Sequence, residues 1–450
     1  MMMSMFSSVS GLKAHQTRMD VIGNNIANVN TVGFKGSRTT FQEIFSQTIS
    51  GSSAPDTATG RGGTNPMQIG LGMNVDSIDV QMTRGSVQRT ESPTDLSIEG
   101  EGFFIIRNGD SGVYNFTRAG NFTIDKLGNL VTASGQNVYG WMKYENTDEG
   151  AVFDTQEALL PLNLYSDDFI GNKKIMAAKA TESATMAGNL DATNEIIAQN
   201  GGIVDGVPIH NSEAVAPQFT TPVTVYDALG NEYTANVNFW KTVATGGVTT
   251  WNYQISSTDN VTLSDNYGTL EFTSTGKIES TTDSPTSVAV LFTPGDDVGA
   301  AEFEVTFDFN KLSMYADDSS VKPSIVDGYP PGTLVTFSVG NDGILTGSYD
   351  NGRQMALGLV ALATFDNPAG LQKVGSNQFI ATTNSGDFRV GQKPGTGDAG
   401  SLIPGTLEMS NVDLANQFTE MIITQRGFQA NSRVMTTSDE ILQELANMKR

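Results

Sequence analysis

The residues of this chain that could do chemistry are scattered and do not form a catalytic set. Lys35-Gly-Ser37 has the ending of a phosphate-binding loop, but the spacing Gly-x4-Gly-Lys-Ser/Thr is absent and a helix, not a strand, is predicted before it. His15 has no second histidine near it in sequence, which favours a packed or interfacial histidine over a catalytic one. The acidic pairs Asp296-Asp297 and Asp317-Asp318 lack the repeated ligand positions of a calcium loop, so polar turns are predicted there. We therefore predict a protein that is not an enzyme and that has no cofactor and no metal site.

The composition argues against several other kinds of site. The chain has 450 residues, no cysteine and two histidines, so disulfides, thiolate metal sites and imidazole clusters are not expected. Its net charge of −23 makes nucleic acid and anionic membrane surfaces poor partners. No stretch approaches the roughly 18 consecutive apolar residues of a membrane span, and residues 1–10 lack a signal-peptide pattern. These signals predict no membrane insertion and a cytosolic protein, unless another export route applies.

The elements that must position these residues are of two kinds, and the two ends of the chain share one of them. Apolar residues recur there at spacings of three and four, the pattern of a coiled-coil seam, which predicts helices over residues 4–29 and 411–448. In the N-terminal helix the predicted self-assembly residues are Met5, Val9, Leu12, Met19, Ile22 and Ile26, with the polar residues Asn24, Asn25 and Asn28. In the C-terminal helix they are Leu414, Phe418, Met421, Gln425, Phe428, Met435, Leu442 and Leu445.

Each terminal stripe could instead pack on the core of its own domain. The polar residues favour assembly, because Gln425, Ser432 and Asp439 fall at seam spacing and Asn24 and Asn28 lie one turn apart. Polar groups at a seam lower stability but fix register and partner number. We therefore predict that the two helices assemble with other copies of the chain.

The residues between the two ends predict β-structure. Phe103-Phe-Ile-Ile106 reads as a buried strand, and apolar residues alternate on both sides of the turn Asp227-Ala-Leu-Gly-Asn231, which indicates a hairpin. Alternation from Phe303 to Phe309 predicts another strand. The fold class predicted is a multidomain α+β protein, in which paired N- and C-termini form an α-helical coiled-coil domain and the middle and outer domains are mainly β.

The symmetry of the chain predicts a nested domain order. Residues 1–30 with 406–450 form the terminal helical assembly domain, and residues 31–75 form a connecting segment. Residues 76–145 with 329–405 form an inner β domain, and residues 146–328 form an outer β region of one or two domains.

Several segments carry a family resemblance. The run from Asn24 to Lys35 resembles the N-terminal signature of bacterial flagellar rod and hook proteins, and Glu408–Leu414 and Gln425–Asn431 resemble the paired C-terminal signature. In the middle, Thr224–Asn231 and Gly343–Gly352 resemble hook-protein segments. The chain is therefore similar to flagellar hook proteins over nearly its whole length.

The resemblance implies a structural subunit that is exported unfolded by the flagellar type III apparatus and polymerises outside the cell. It implies a curved tube that joins rod to filament and transmits motor torque as a flexible joint. The implied partners are further copies of the chain, the flagellar rod, the hook cap and the hook–filament junction proteins, and the implied location is the hook of the bacterial flagellum.

Two alternatives stay open at this point. The chain could be another flagellar axial protein, from the distal rod or the hook–filament junction. It could also be a secreted adhesin or enzyme whose site lies within residues 146–328, which predicts a cluster of perturbed carboxylates or an exposed aromatic patch around Trp240 and Trp251.

Overall fold

The structure, a computed structural model, describes residues 2–55, 60–109, 112–147, 150–167, 170–197, 202–210, 213–281, 284–295, 297–388 and 390–448. The chain divides into two compact units. Unit 1 comprises residues 1–171, 337–347 and 355–450, and unit 2 comprises residues 172–336 and 348–354.

The first pass of the chain through unit 1 begins with one helix and continues in short strands. Its elements are α1 (Met2–Ala27), β1 (Ser37–Glu43), β2 (Ser46–Ser50), β3 (Met67–Gly70), β4 (Met73–Val80), β5 (Val87–Arg89), β6 (Leu96–Glu99), β7 (Phe103–Arg107), β8 (Asn115–Thr117), β9 (Phe122–Ile124), β10 (Leu130–Thr132), β11 (Asn137–Trp141), β12 (Tyr144–Thr147), β13 (Gly150–Phe153), β14 (Leu160–Pro161) and β15 (Ser166–Asp167).

The central part of the chain consists of strands. They are β16 (Gly171–Asn172), β17 (Ile175–Met176), β18 (Ser183–Asp191), β19 (Ile203–Val204), β20 (Val207–His210), β21 (Glu213–Ala214), β22 (Phe219–Tyr226), β23 (Glu232–Thr245), β24 (Val248–Ser257), β25 (Val261–Ser264), β26 (Tyr267–Phe272), β27 (Ile278–Glu279), β28 (Ser287–Pro294), β29 (Phe303–Tyr315), β30 (Lys322–Val326) and β31 (Gly332–Val339).

The last part of the chain returns to unit 1 and ends in a long helix. Its elements are β32 (Ile344–Tyr349), β33 (Gln354–Val360), β34 (Leu362–Ala363), a 3-10 turn (Pro368–Gly370), β35 (Gln372–Gly375), β36 (Gln378–Ile380), β37 (Ser401–Pro404), β38 (Thr406–Glu408) and α2 (Leu414–Met448).

The β-core of unit 1 is built from chain segments that are far apart in sequence. Its main sheet runs in the order β33-β11-β7-β8-β36-β35, so three strands of the first pass lie between strands of the return. The predicted strand Phe103–Ile106 lies within β7 and is buried throughout. Phe103 and Phe116 pack edge-on against Phe365 from the return pass. Each pass therefore supplies about half of a core that neither could form alone.

Unit 2 is a two-sheet sandwich with a single apolar core. One sheet has the order β22-β23-β24-β26-β27 and the other β25-β28-β29-β18-β30. The predicted hairpin is confirmed, because β22 pairs with β23 and Val225 faces Tyr233 across the turn. Asp227 closes that turn by accepting hydrogen bonds from the backbone N–H groups of Leu229 and Asn231, both at 2.9 Å. Both sheets send their alternating apolar residues into the same buried cluster, as expected for sheets packed face to face.

The two helices begin and end close to the predicted positions. α1 ends at Ala27, two residues before the predicted end, so that Asn24 and Asn25 lie inside the helix and Asn28 directly follows it. α2 begins at Leu414 because Asp413 caps it, with its Oδ1 accepting a hydrogen bond from Ala415 N at 2.9 Å. The predicted fold class is confirmed: the described residues form two helices that contact each other and a set of mainly-β units. No helix among these residues is long and apolar enough to cross a bilayer.

Candidate functional site

A buried carboxylate joins the two ends of the chain. Glu408, the last residue of β38, accepts a hydrogen bond from Lys35 Nζ at 2.6 Å through Oε1 and one from Arg118 at 3.2 Å through Oε2. The backbone N–H of Gly85 also donates to Oε1, at 2.9 Å, and Lys35 Nζ donates to the carbonyl of Thr83 at 2.8 Å. We call Lys35, Arg118 and Glu408 the ion cluster. It ties the segment after α1 and the core of unit 1 to the strand that leads into α2.

The ion cluster is almost completely removed from water. The side chains of Lys35 and Glu408 are each 1% exposed and that of Arg118 is 6% exposed. Burial alone would raise the pKa of Glu408, but the charges of Lys35 and Arg118 outweigh burial, and the pKa of this carboxyl lies below its ordinary value. Burial lowers the pKa of Lys35, against the opposing charge of Glu408. The cluster therefore brings one acidic and two basic side chains together out of contact with water.

Two asparagines complete the junction beside the ion cluster. Asn25 is buried near the end of α1, where it donates to Ser37 O at 2.7 Å and to Gln417 Oε1 on α2 at 3.1 Å. Asn411 accepts from the backbone N–H of Gly36 at 2.8 Å. The two family-like segments, Asn24–Lys35 and Glu408–Leu414, are bonded to each other directly through Lys35 and Glu408, and each asparagine adds a bond to a residue beside the other segment.

The helices α1 and α2 pack antiparallel to each other. The contacts that define the pairing are Asn25 with Gln417, Arg18 with Glu420, His15 with Gly427 and Gly11 with Asn431. Small residues permit the close approach, because a Cβ on Gly427 would lie 2.8 Å from the imidazole of His15 and one on Gly11 would lie 2.7 Å from Asn431 Nδ2. The two residues of α2 that are fully buried here are Thr424 and Ser438. The seam within one chain is therefore lined by small and polar side chains.

The structure places the predicted self-assembly residues in different environments. Buried positions are Ile22 and Asn25. Half-buried positions are Met5, Val9, Leu12, Met19, Ile26, Asn28, Met421, Phe428 and Met435. Exposed positions are Asn24, Leu414, Phe418, Gln425, Leu442 and Leu445. The predicted residues thus divide between the α1–α2 seam and a surface that no other described part of the chain covers.

Sequence reasoning missed a large part of that surface. On α2 the side chains of Ile422, Ile423, Val434 and Ile441 are also exposed, and Ile423 is 60% exposed. Their signal was present as pairs of adjacent apolar residues, which a narrow one-stripe template does not detect. Many large apolar side chains exposed on one helix are typical of an interaction surface.

A second exposed apolar surface lies on the hairpin of β2 and β3, in the segment predicted to be a connection. No residue of either strand is buried, although Phe45, Ile49, Met67 and Ile69 carry large apolar side chains. An isolated two-stranded hairpin is marginally stable in water. We refer to these four exposed residues as the hairpin face.

The residues that could have served other chemistry occupy structural positions. Lys35 is held in the ion cluster, so it is not free to bind a phosphate. Asp296 lies outside the described residues, and within the described ranges no three acidic, histidine or cysteine side chains are grouped as metal ligands. The exposed aromatic patch around Trp240 and Trp251, which the adhesin or enzyme alternative predicts, is not found, because both side chains are buried. Trp240 Nε1 donates a hydrogen bond to Val215 O at 2.9 Å.

Family models match four parts of the chain, in order. They are described as Flagella basal body rod protein (residues 5–35), Flagellar hook protein FlgE/F/G D1 domain (97–164), Flagellar basal body protein FlaE D2 domain (189–329) and Flagellar basal body rod FlgEFG protein C-terminal (403–448). The ion cluster joins residues from the first, second and fourth of these matches.

Curated relatives match the chain from end to end. The flagellar hook protein FlgE of Borreliella burgdorferi is 40% identical, with 100% of both chains covered. That of Treponema pallidum is 36% identical, again with 100% of both chains covered. That of Salmonella typhimurium is 32% identical and covers 99% of this chain and 100% of its own.

The ion cluster makes a first prediction. Glu408→Gln leaves Lys35 and Arg118 buried without a counter-charge, so we expect the free energy of unfolding to fall by about 3–5 kcal/mol, measured by urea denaturation at pH 7. The matched control is Glu99→Gln, which removes an exposed pair with Arg84 and should cost under about 1 kcal/mol. Equal losses in the two variants would contradict the role given to the cluster.

The contribution of Glu408 to the stability of the wild type should depend on pH. It is present above the ordinary pKa of glutamate and is lost as the pH falls through the lower pKa of folded Glu408.

The helix seam makes a second prediction. Gly427→Ala places a methyl group against His15, so we expect the α1–α2 pairing to weaken by about 1–3 kcal/mol and amide exchange in both helices to accelerate, as followed by mass spectrometry. Gly23→Ala is the control, since a Cβ there meets nothing within 4 Å and alanine favours the helix by about 1 kcal/mol. Exchange that is unchanged in Gly427→Ala would show that the helices are not closely packed at this point.

Proposed function

The chain belongs to the flagellar hook protein family, and on that premise we propose that it is a structural subunit that polymerises into the flagellar hook. The hook is part of the basal body–hook structure of the bacterial flagellum. Many copies of the chain together form the hook, a flexible tube that carries torque from the rod to the filament. The role is structural, and we assign no catalytic residues.

The observation that carries the mechanism is the division of side chains on α2. Its small and polar residues, including Thr424 and Ser438, are used within the chain, whereas large apolar residues such as Phe418, Ile423 and Leu442 remain exposed. Burying one such side chain completely is worth about 1.5–3 kcal/mol. Contacts with neighbouring copies of the chain would bury these apolar side chains. We therefore assign the exposed apolar residues of α2, and the predicted residues of both terminal stripes, to self-assembly.

The β units take the outer positions in this proposal. We assign residues 1–30 with 406–450 to the inner helical layer, 76–145 with 329–405 to an inner β domain and 146–328 to an outer β domain, with 31–75 connecting them. The sandwich of unit 2 buries its apolar residues in its own core. An outer layer of this kind can shift against its neighbours as the tube bends, while the helices hold fixed register.

The other partners follow from the position of a hook. We propose that the chain contacts the rod at one end of the tube and the junction proteins at the other, grows beneath a cap, and reaches that site through the flagellar type III export apparatus. A distal rod or junction protein is the alternative within the same class. Relatives named as hook proteins that align over the whole chain, including the central residues, favour the hook.

An adhesin or enzyme carried by residues 146–328 is disfavoured. The aromatic residues on which an exposed binding patch would depend, Trp240 and Trp251, belong to buried packing. Binding of glycans or peptidoglycan by the purified chain would revive that alternative.

Polymerisation itself makes a third prediction. Leu442→Asp puts a charge on the apolar surface of α2, so the variant should form few or no tubes under conditions in which the wild type assembles, as seen by electron microscopy. Leu229→Asp is the matched control, because Leu229 is also exposed but lies in a turn of unit 2, and its tubes should be normal. Normal tubes from Leu442→Asp would remove the helix surface from the assembly mechanism.

The outer domain makes a fourth prediction. The chain enters and leaves this region side by side, because Lys179 and Tyr329 exchange backbone hydrogen bonds at 3.1 Å in both directions. Joining residue 180 to residue 328, with 181–327 deleted, should therefore leave tube formation intact and change tube curvature. Complete loss of tubes from a soluble variant would show that this region contributes to assembly itself.

A further inference from the structure

His15 lies where α1, α2 and β1 meet. Its ring stands edge-on to Phe41 of β1, with ring centroids 5.8 Å apart. On the other side it lies against the backbone of Gly427, where even a methyl group would not fit. The imidazole is therefore a packing element of the helix seam.

One nitrogen of this ring, Nδ1, has no acceptor for the hydrogen bond that it would donate if it carried a proton. His15 Nδ1 is shut off from solvent and has no hydrogen-bond partner among the described residues. In the neutral ring Nδ1 can remain an unused lone pair, which is tolerated. Protonation at both nitrogens turns Nδ1 into a buried donor without an acceptor, which carries a desolvation cost in addition to that of the charge.

The charges around the ring also oppose protonation. On α1, the Arg18 guanidinium lies 5.6 Å from the centre of the Phe41 ring, against which His15 also packs. On α2, Glu420 is already paired with Arg18 at 3.3 Å. Burial lowers the pKa of His15, and the charge of Arg18 lowers it further.

The charged groups of the packed strand do not offset this. On β1, Arg38 is paired with Asp79 at 3.7 Å, and Glu43 accepts a hydrogen bond from Ser46 Oγ at 3.0 Å. Each of these carboxylates thus has another partner. On β4, which also packs against α1, Asp76 accepts a hydrogen bond from Thr40 Oγ1 at 3.4 Å.

We propose that His15 is a pH-sensitive latch: the neutral ring lets α1 and α2 pair, and its protonation separates them and loosens the polymer. The inference rests on the proposed self-assembly, because the helix pair presents the assembly surface. A folded pKa below the ordinary value means that this contribution to stability is fully present above the unfolded pKa of about 6.5 and is lost as the pH falls below it.

The test compares polymers moved from pH 7.5 to pH 5.5, with the soluble fraction measured after ultracentrifugation. We expect that fraction to rise several-fold in the wild type and to change little in His15→Phe, which keeps a packed ring, and in His15→Gln. The chain has two histidines, so His210→Gln is the matched control and should respond as the wild type does. If wild-type protein forms no tubes at pH 7.5, the proposed function fails, and that result is distinct from a failure of the latch.

The latch is overturned if the His15 variants release subunits at pH 5.5 as readily as the wild type, or if wild-type tubes do not respond. A second measurement does not depend on the variants at position 15. In His210→Gln polymers labelled with nitrogen-15 at histidine, solid-state spectra report His15 alone. Its ring must stay neutral to a pH below 6.5, and titration at or above that value contradicts the proposal.

Discussion

The buried carboxylate of Glu408 is the constraint on which the terminal region depends. Buried ion pairs often add little net stability, because desolvation offsets their attraction, but an unpaired buried charge is costly. Lys35 and Arg118 must therefore both be in place whenever Glu408 is buried. The cluster is complete in only one relative position of the segment that follows α1 and the segment that leads into α2. Any other position would leave a buried charge unpaired. It contributes specificity more than strength, and the packing of the helices is built on the geometry that it sets.

Local patterns predicted both helices and several of the strands, whereas long-range pairing could not be predicted. The hairpin at Asp227, the strand β7 and both helices follow from periodicity and turn chemistry, which neighbouring residues determine. Lys35 and Glu408 are separated by 373 positions, and no spacing rule connects a lysine to one of many carboxylates at that distance. The family-like segments around them pointed to the right region, but their bonding required the fold.

The helix seam shows why the candidate site was predicted only in part. Spacing identified Met421, Phe428 and Met435, which are half-buried, but it placed Gln425 on the stripe, whereas the structure buries Thr424. Close packing against Gly11 and Gly427 favours small side chains, and a template based on large apolar residues does not detect them. The same template overlooked Ile422, Ile423 and the hairpin face, because an exposed apolar surface need not follow the period of a single helix.

The partners of the ion cluster lie far apart along the chain, and this separation also constrains the order in which the parts of the chain fold. Closing a loop of 373 residues in an unfolded chain costs about 5 kcal/mol of entropy, and contacts of that span are slow to form. Once the β units have folded, the two ends are brought near each other and most of that cost has been met. The helix pair is therefore completed last. We therefore expect the helix surface that we assign to self-assembly to form only after the interior of the chain has folded.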